Sequence, residues 1–329
     1  MTKRHLYRSF AIAMGVIVFF NIFLAFTLDS PPRGIIRDLR RSSKIDLLFL
    51  GNSLMNRALN EKVFKDSWPG PLPPPVLFNA CLPASSPVEH YLFAREAFRD
   101  HPSIKYVIYD IYDRQLTETP NGSWSQLVGG MAMPYYVEPD VAKSLYYPDS
   151  LYDQLRFRLT AFVPMLRERF SLWHHVENQR RRMEQMGMPP HIDKGALVSD
   201  FHELGYPEKI QFVRDCESAV QNPSGFTPAI ESLFRLTAEN HSKVFVVDMP
   251  MQTNHRDFYY SSDAWRRYRS YLKAKLSERG IVFIDATDWA LDSDFLDDIH
   301  LNDQGAKTFS ARLAMTLANQ IDAQSTSPK

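Results

Sequence analysis

The chain has little cysteine and no excess of charge of either sign. Cys81 and Cys216 are its only cysteines among 329 residues, and they lie far apart in the sequence. A single disulfide bond between them is an open alternative, but two such residues build neither a disulfide framework nor a cysteine-based metal cluster. Lysine plus arginine equals aspartate plus glutamate at 38 each, so no overall field recruits nucleic acid. A glycine-rich phosphate cradle is missing too. We therefore predict no metal, no cofactor and no nucleic-acid partner.

Charge is absent from residues 10–28, a nearly continuous apolar run that follows three basic residues. At 1.5 Å per residue the run spans roughly 28 Å, which matches the hydrocarbon core of a bilayer. Asn21 is a single polar amide within it, and an amide costs far less there than a charge. A cleaved signal peptide is the alternative, but residues 25–27 are a poor cleavage site. We predict a cytoplasmic start and an uncleaved transmembrane signal anchor over 1–28.

The orientation of this anchor follows from two opposing arguments. Five basic residues follow the span, at Arg33, Arg37, Arg40, Arg41 and Lys44. Taken alone, the positive-inside rule would keep the body of the chain in the cytoplasm. Long domains translocate largely regardless of charge, however, and a span at the very start of a long domain usually exports it. We expect a single-pass membrane protein with an extracytoplasmic body, in the periplasm or at the cell surface, joined by a linker over 29–44.

Short apolar runs recur along the body and predict buried strands. They lie at 45–50, 76–79, 106–109, 244–247 and 281–284. Helical patterns separate them, among them 87–99, 264–278 and a last helix that ends at about Ala318. Strands that alternate with helices imply a parallel sheet sandwiched by helices.

The third and fourth strands are separated by more residues than a normal connection contains, and we interpret residues 116–226 as an insertion. Its middle, 151–186, has the pattern of one or two helices. It could form a lid over the sheet or an ornament at its side. The α/β domain thus covers 45–323, and the polar tail 324–329 is predicted to be disordered.

Ser53 is the first residue that suggests chemistry. It stands in Gly51-Asn52-Ser53-Leu54, directly after the first predicted strand. In open α/β sheets ligands bind just beyond the carboxyl ends of the strands. A serine hydroxyl is a poor nucleophile until a base takes its proton, so Ser53 needs a histidine that a third group orients.

Asp297 and His300 supply that partner pair. They follow the last predicted strand in Asp-x-x-His-Leu-Asn-x-x-Gly, where one turn can present both side chains to the same place. Asp-x-x-His alone is a weak signal. Together with the strand that ends in Gly-Asn-Ser-Leu, it resembles the first and last motif blocks of the SGNH (GDSL-like) hydrolase superfamily. The resemblance covers about 45–115 and 243–321 and is nearest to the membrane-anchored branch with the DltD-like proteins and the alginate O-acetyltransferases.

The resemblance implies a flavodoxin-like three-layer sandwich and metal-free chemistry through an acyl-serine. It implies that Ser53 is the nucleophile, His300 the base and Asp297 the orienting acid. The backbone of Ser53 and of Ala84, which stands where the family has glycine, would stabilise the oxyanion. Tyr112 replaces the family's asparagine donor, and a phenol can donate a hydrogen bond with a different reach.

These features lead to two hypotheses. The first is a membrane-anchored serine esterase or O-acyltransferase that acts on acyl esters of cell-envelope glycans, with envelope-polysaccharide machinery as a partner. The second is a catalytically weakened SGNH-like domain that binds glycan or scaffolds polysaccharide assembly. It is suggested by Ala84 and Tyr112, which depart from the family's residues at the two middle motifs. Loss of one oxyanion donor costs about 10²–10³ in rate, which slows an enzyme without abolishing it.

Overall fold

The structure, a computed structural model, describes residues 3–27, 30–69, 74–83, 85–117, 151–167, 206–221 and 225–325. The strands are β1 Leu47–Leu50, β2 Leu77–Asn79, β3 Tyr106–Ile111, β4 Lys243–Asp248 and β5 Val282–Asp285. The helices are α1 Lys3–Thr27, α2 Pro31–Arg41, α3 Ser53–Ala58, α4 Glu61–Asp66, α5 Pro87–Asp100, α6 Leu151–Phe162, α7 Pro164–Arg167, α8 Tyr206–Gln221, α9 Pro228–Glu239, α10 Thr253–His255, α11 Asp263–Ser277 and α12 Asp303–Ser325. A π-helical turn, Arg256–Tyr260, continues α10, and a 3₁₀ turn spans Asp292–Asp294.

The five strands form one parallel sheet in the order β2-β1-β3-β4-β5. This is the flavodoxin-like order, and ligands in such sheets bind at the carboxyl ends of the strands where the order reverses, between β1 and β3. The predicted fold class is confirmed: an α/β fold with a parallel sheet of five strands, helices around it, and an apolar N-terminal helix.

Helices cover both faces of the sheet, as its apolar strands require. On one face, Leu47 of β1 packs in a buried cluster with Phe309 of α12. Successive side chains of a strand point to opposite faces, so Leu50 and its register partner Tyr109 lie on the other face. There the hydroxyl of Tyr109 contacts His90 of α5. The sheet is therefore the middle layer of the fold, and its carboxyl edge can position a site.

Two compact units divide the chain. One contains Met1–Asp38 and Pro120–Ile192, and the other contains Leu39–Thr119 and Asp193–Lys329, which include the whole sheet. In the first unit, α1 has an apolar window at Tyr7–Leu24 that is long enough to cross a membrane. Length and composition support an anchor there, although a signal sequence meets the same test.

The predicted insertion 116–226 is described only in part, by α6, α7 and α8. Its predicted helices over 151–186 correspond to α6 and α7 as far as Arg167, and residues 168–186 lie outside the described residues. The N–H of Thr227 donates to the carbonyl of Leu116 at 2.9 Å, so the two ends of the segment lie side by side. The assignment of 116–226 as one insertion stays a prediction.

Several predicted boundaries differ from the structure. β3 and β4 run on to Ile111 and Asp248, because backbone pairing continues through polar side chains that an apolar pattern misses. Part of the predicted linker is α2, which begins at Pro31, and proline is tolerated in the first turn of a helix. The last helix extends to Ser325, into the predicted disordered tail, and residues 326–329 lie outside the described part.

Candidate active site

The first part of the site is the turn that follows β1. The strand ends at Leu50, and α3 begins at Ser53. Asn52 caps this helix, because its side-chain oxygen accepts a hydrogen bond from the N–H of Leu54 at 2.8 Å. Ser53 is partly exposed at the carboxyl end of β1, next to the point where the strand order reverses. The local sequence thus places a hydroxyl where open α/β sheets bind ligands.

A buried carboxylate explains why residue 51 is glycine. A Cβ at Gly51 would lie 2.2 Å from Oδ1 of Asp110, a separation that side chains do not adopt. Asp110 is fully buried in β3, and its Oδ2 accepts from the N–H groups of Met55 at 3.1 Å and Asn52 at 3.4 Å. Burial raises the pKa of Asp110 to about 7, although these two backbone donors oppose the rise. Asp110 therefore caps the first turn of α3 from the neighbouring strand.

The second part of the site is a tight turn between Phe295 and Leu301, which form an antiparallel bridge. Within it the carboxylate of Asp297 accepts from the N–H groups of Ile299 at 3.0 Å and His300 at 2.7 Å. An aspartate that satisfies backbone donors two and three residues later makes an Asx-type turn. The Asp-x-x-His spacing therefore folds the carboxylate against the imidazole.

The structure brings the three predicted catalytic side chains into hydrogen-bonding contact. Nδ1 of His300 lies 2.9 Å from Oδ2 and 3.1 Å from Oδ1 of Asp297. Nε2 of His300 lies 2.9 Å from Oγ of Ser53. When Nδ1 carries the proton and donates it to the carboxylate, Nε2 is free to accept the proton of the Ser53 hydroxyl.

The carboxylate of Asp297 is suited to hold the imidazole in this orientation. Burial would raise the pKa of Asp297, but hydrogen bonds from the backbone of Ile299 and from the side chain and backbone of His300 outweigh it. They hold the pKa below its usual value, so the group stays ionised at neutral pH. An ionised carboxylate stabilises the imidazolium that forms when His300 takes a proton.

The remaining residues of the motif fix the turn in space. Asn302 caps α12 by accepting from the N–H of Gly305 at 3.0 Å, and its amide donates to the carbonyl of Ser293 at 2.8 Å. A Cβ at Gly305 would lie 2.4 Å from the carbonyl oxygen of Asp294. The Asn-x-x-Gly part of the motif therefore locks α12 against the turn that leads to His300.

A second serine–histidine pair lies behind the Ser53 turn. Nε2 of His90 is 2.7 Å from Oγ of Ser85, and Nδ1 is 2.9 Å from the hydroxyl of Tyr109. Oγ of Ser85 also lies 2.5 Å from the carbonyl oxygen of Leu82 and 3.2 Å from that of Gly51. His90 and Tyr109 are fully buried, and burial lowers the pKa of His90 to about 3. The neutral imidazole holds the segment at Ser85 against the turn that carries the candidate nucleophile.

The predicted oxyanion donors are less well defined. Ser53 begins α3, and first-turn N–H groups have no acceptor within their own helix. Ala84 lies outside the described residues, although its neighbour Ser85 is bound to Gly51. Tyr112 directly follows β3, and its ring packs against the apolar cluster that includes Phe309. The oxyanion roles of these residues stay predictions.

Sequence reasoning missed Asp110 and the roles of Ser85, His90 and Tyr109. Asp110 had a usable signal, since it is a carboxylate inside an apolar strand that neighbours the Ser53 strand. His90 had none, because only the packing of α5 on β3 brings it to Tyr109.

Within the described residues, no group of three or more His, Cys, Asp or Glu side chains could hold a metal ion. Cys81 is buried and free.

Comparisons with known proteins complete the description of the site. A protein-family model matches residues 218–322, less than half of the chain. No curated protein matches the sequence. Among solved structures, the chain is similar to a proposed acylhydrolase of Bacteroides fragilis NCTC 9343 and to a GDSL-like lipase of Bacteroides thetaiotaomicron VPI-5482, each at 10% identity and a TM-score of 0.40. The aligned parts cover 89% of this chain and 99% of the first protein, and 88% and 98% for the second. Likenesses of this size leave the family open, and the geometry of Ser53, His300 and Asp297 carries the functional argument.

Proposed function

We propose that this chain is a membrane-anchored serine acyl esterase or O-acyltransferase of the SGNH type. The observation that carries the proposal is the continuous hydrogen-bonded chain from Ser53 Oγ through His300 to the ionised carboxylate of Asp297. A nucleophile, a base and an orienting acid in this order are the requirements of covalent acyl transfer.

In the proposed reaction, Ser53 Oγ attacks the carbonyl carbon of an ester while His300 Nε2 takes the hydroxyl proton. The tetrahedral intermediate collapses, the ester C–O bond breaks, and His300 returns the proton to the leaving alcohol. An acyl group then remains on Ser53. Water or a sugar hydroxyl, deprotonated by His300, attacks this acyl-serine and releases an acid or a new ester.

The proposed substrates are acyl esters of cell-envelope glycans. The support is the apolar helix α1, which is long enough to anchor the chain in a membrane, and the resemblance of the two motif blocks to the membrane-anchored branch of the superfamily. An anchor holds the site near surface polymers. We propose an extracytoplasmic body, because long domains translocate largely regardless of the basic residues that follow a span.

A second candidate function has its own support. Tyr112 stands where the family has an asparagine donor, and its ring packs against the apolar core. Without an oxyanion donor at this position, the catalytic rate would be about 10²–10³-fold lower. A glycan-binding or scaffolding domain that keeps the inherited triad geometry is therefore the alternative.

Covalent labelling separates these functions. The full chain in detergent is incubated with a fluorophosphonate probe, and labelling is followed by gel fluorescence and by peptide mass spectrometry. We expect one label on Ser53 that is lost in Ser53→Ala and strongly slowed in His300→Ala. Ser270→Ala is the matched control, because Ser270 is an exposed serine on α11, and it should label like the wild type.

Absence of labelling in the wild type, together with acetyl-ester turnover that does not depend on Ser53 or His300, would rule out the enzyme. If Ser53 is labelled, hydrolysis and transfer are compared with p-nitrophenyl acetate, with and without an oligosaccharide acceptor. Acetylated oligosaccharide as the main product identifies a transferase, and free acetate identifies an esterase.

A further inference from the structure

The short helix α7 is hydrogen-bonded to the C-terminal half of the apolar helix α1. Asn21 lies three residues before Leu24, the end of the apolar window, which is about 4.5 Å along the helix axis. Its Nδ2 donates to the carbonyl of Ile17 at 2.8 Å, and its Oδ1 accepts from the N–H of Met165 at 3.0 Å. That N–H belongs to the first turn of α7 and has no acceptor in its own helix. The amide of Asn21 therefore links α7 to α1.

The segment that carries this contact exposes several apolar side chains. On α6, Leu151, Leu155 and Leu159 recur every four residues and form one stripe, with exposed fractions of 81%, 56% and 47%. Thr160, which lies about 100° around the helix from Leu159, is buried. Further exposed apolar side chains adjoin the stripe, at Tyr152, Met165 and Leu166.

We propose that the α6–α7 segment, residues 151–167, is a second membrane contact that lies in the interface of the leaflet where α1 leaves the bilayer. In this arrangement the leucine stripe faces the acyl chains, and α6 runs roughly parallel to the membrane surface. The inference rests on the proposed membrane anchoring through α1. It adds a partner, the lipid surface, that anchoring alone does not require.

The choice of lipid as the partner follows from depth and composition. Met165 is bonded to Asn21, which lies about 4.5 Å before the end of the apolar window at Leu24 and about 10.5 Å before the end of the apolar run at residue 28. In the proposed arrangement its exposed neighbour Leu166 therefore lies near the boundary between acyl chains and head groups. Interfacial helices bury their apolar face roughly 5–10 Å into this boundary and carry basic residues at its rim. Arg158 is exposed on α6 and can reach head-group phosphates while its stem covers apolar surface.

The depth of single labelled residues in vesicles tests the proposal. Full-length protein is reconstituted into phosphatidylcholine–phosphatidylglycerol vesicles after an NBD fluorophore is attached to Leu155→Cys, to Val16→Cys within the span, or to Lys62→Cys on a strongly exposed side chain of α4. Quenching is compared between lipids with a nitroxide at acyl carbon 5 and at carbon 12. The wild-type chain measures the background from the two buried native thiols, Cys81 and Cys216.

We expect the label at position 155 to emit in the blue and to be quenched at least twofold more by the shallow nitroxide than by the deep one. The label at position 16 should show the opposite order, and the label at position 62 should be quenched by neither. A position 155 label that behaves like position 62, while position 16 is quenched, overturns the interfacial contact and leaves the anchor intact. If position 16 is not quenched either, both the anchor and the contact are wrong.

A matched pair of substitutions gives a second measurement. Leu159→Glu places a charge on the stripe, whereas Leu159→Met keeps it apolar at a similar volume. In protein labelled at position 155, Leu159→Glu should reduce quenching by the nitroxide at acyl carbon 5 at least twofold, and Leu159→Met should leave this quenching unchanged. Equal quenching in both variants contradicts the proposal, provided that their melting temperatures agree.

Discussion

Among the described residues of the unit that contains the sheet, two serine–histidine pairs differ in what completes each pair. Oγ of Ser53 and Nε2 of His300 are 2.9 Å apart, and the carboxylate of Asp297 holds the other ring nitrogen. Oγ of Ser85 and Nε2 of His90 are closer, at 2.7 Å, but a tyrosine hydroxyl occupies the third place. The shorter distance belongs to the pair that we interpret as structural.

The difference shows that proximity alone does not make a nucleophile. A base must be able to hold a proton, and burial lowers the pKa of His90 to about 3, so its imidazole stays neutral. A phenol does not stabilise an imidazolium as an ionised carboxylate does. The two bases also differ in exposure, since the His300 side chain is 26% exposed whereas His90 is fully buried.

The strongest test of this comparison removes each serine in turn. Ser53→Ala should lower the rate of fluorophosphonate labelling by about 10⁴-fold or more, to background. Ser85→Ala should still be labelled at Ser53, with a rate reduced about tenfold at most, because it loses a hydrogen bond to Gly51 and no reacting atom. Label found on Ser85 in the wild type would reverse our assignment of the two pairs.

Replacing the third group should have the next largest effect. Asp297→Asn keeps an acceptor for the backbone N–H groups of Ile299 and His300 but removes the charge that stabilises the imidazolium. We expect ester hydrolysis at neutral pH to fall by roughly 10⁴-fold. Turnover of p-nitrophenyl acetate and the melting temperature are measured together. A decrease below tenfold in a protein with unchanged melting temperature would mean that the carboxylate is not part of the mechanism.

A methyl group at the Ser53 turn should disturb both stability and labelling. Gly51→Ala places a Cβ against the carboxylate of Asp110, so we expect a loss of about 1–3 kcal/mol in the free energy of unfolding. Labelling of Ser53 should also slow, because the turn must shift. Gly34→Ala is the control, since a Cβ there has only Arg37 within 4 Å, at 3.8 Å. Equal urea unfolding curves for the two variants would contradict the close approach.

Buried His90 and Asp110 should give stability opposite dependences on pH. The folded pKa of His90, about 3, lies below its unfolded value of 6.5, so the unfolded chain binds the proton first as the pH falls. The free energy of unfolding should therefore decrease as the pH falls from about 6.5 towards 3. At pH 5, His90 alone lowers it by about 2 kcal/mol relative to its value well above pH 6.5. The folded pKa of Asp110, about 7, lies above its unfolded value of 3.8, so this group makes stability decrease as the pH rises from about 4 to 7.

Urea unfolding of the full chain in detergent at pH 5.0 and 7.5 separates these two contributions. Relative to the wild type, His90→Gln should lose less stability on acidification, because its proton-linked loss is gone. Asp110→Asn should lose more, because the opposing contribution has been removed. If the three proteins change in parallel between the two pH values, neither buried group titrates as described.

The fold class was accessible from sequence because its signal is local. Runs such as 45–50 and 244–247 are apolar enough to require burial on both faces, and breakers separate them from helical patterns. The exact strand ends were not accessible. Asp110 and Asp248 are polar yet belong to β3 and β4, because the register with the neighbouring strand continues their backbone pairing.

The positions of Ser53, Asp297 and His300 in the sequence were sufficient to propose a triad. Two signals made this proposal feasible, a serine directly after a strand and a carboxylate three residues before an imidazole. The contact between Ser53 and His300 joins residues far apart in the chain, and only the parallel sheet brings their turns to one edge.

The sequence by itself determined the class of the fold, the apolar span and the residue types of the site, because each follows from local composition and spacing. Tertiary structure alone decided which of the two serine-bound histidines is partly exposed and which is buried. It also placed the carboxylate of Asp110 against Gly51 and the N–H of Met165 on Asn21. The physical reason is that burial and contact are properties of neighbours in space, and these neighbours come from distant parts of the chain.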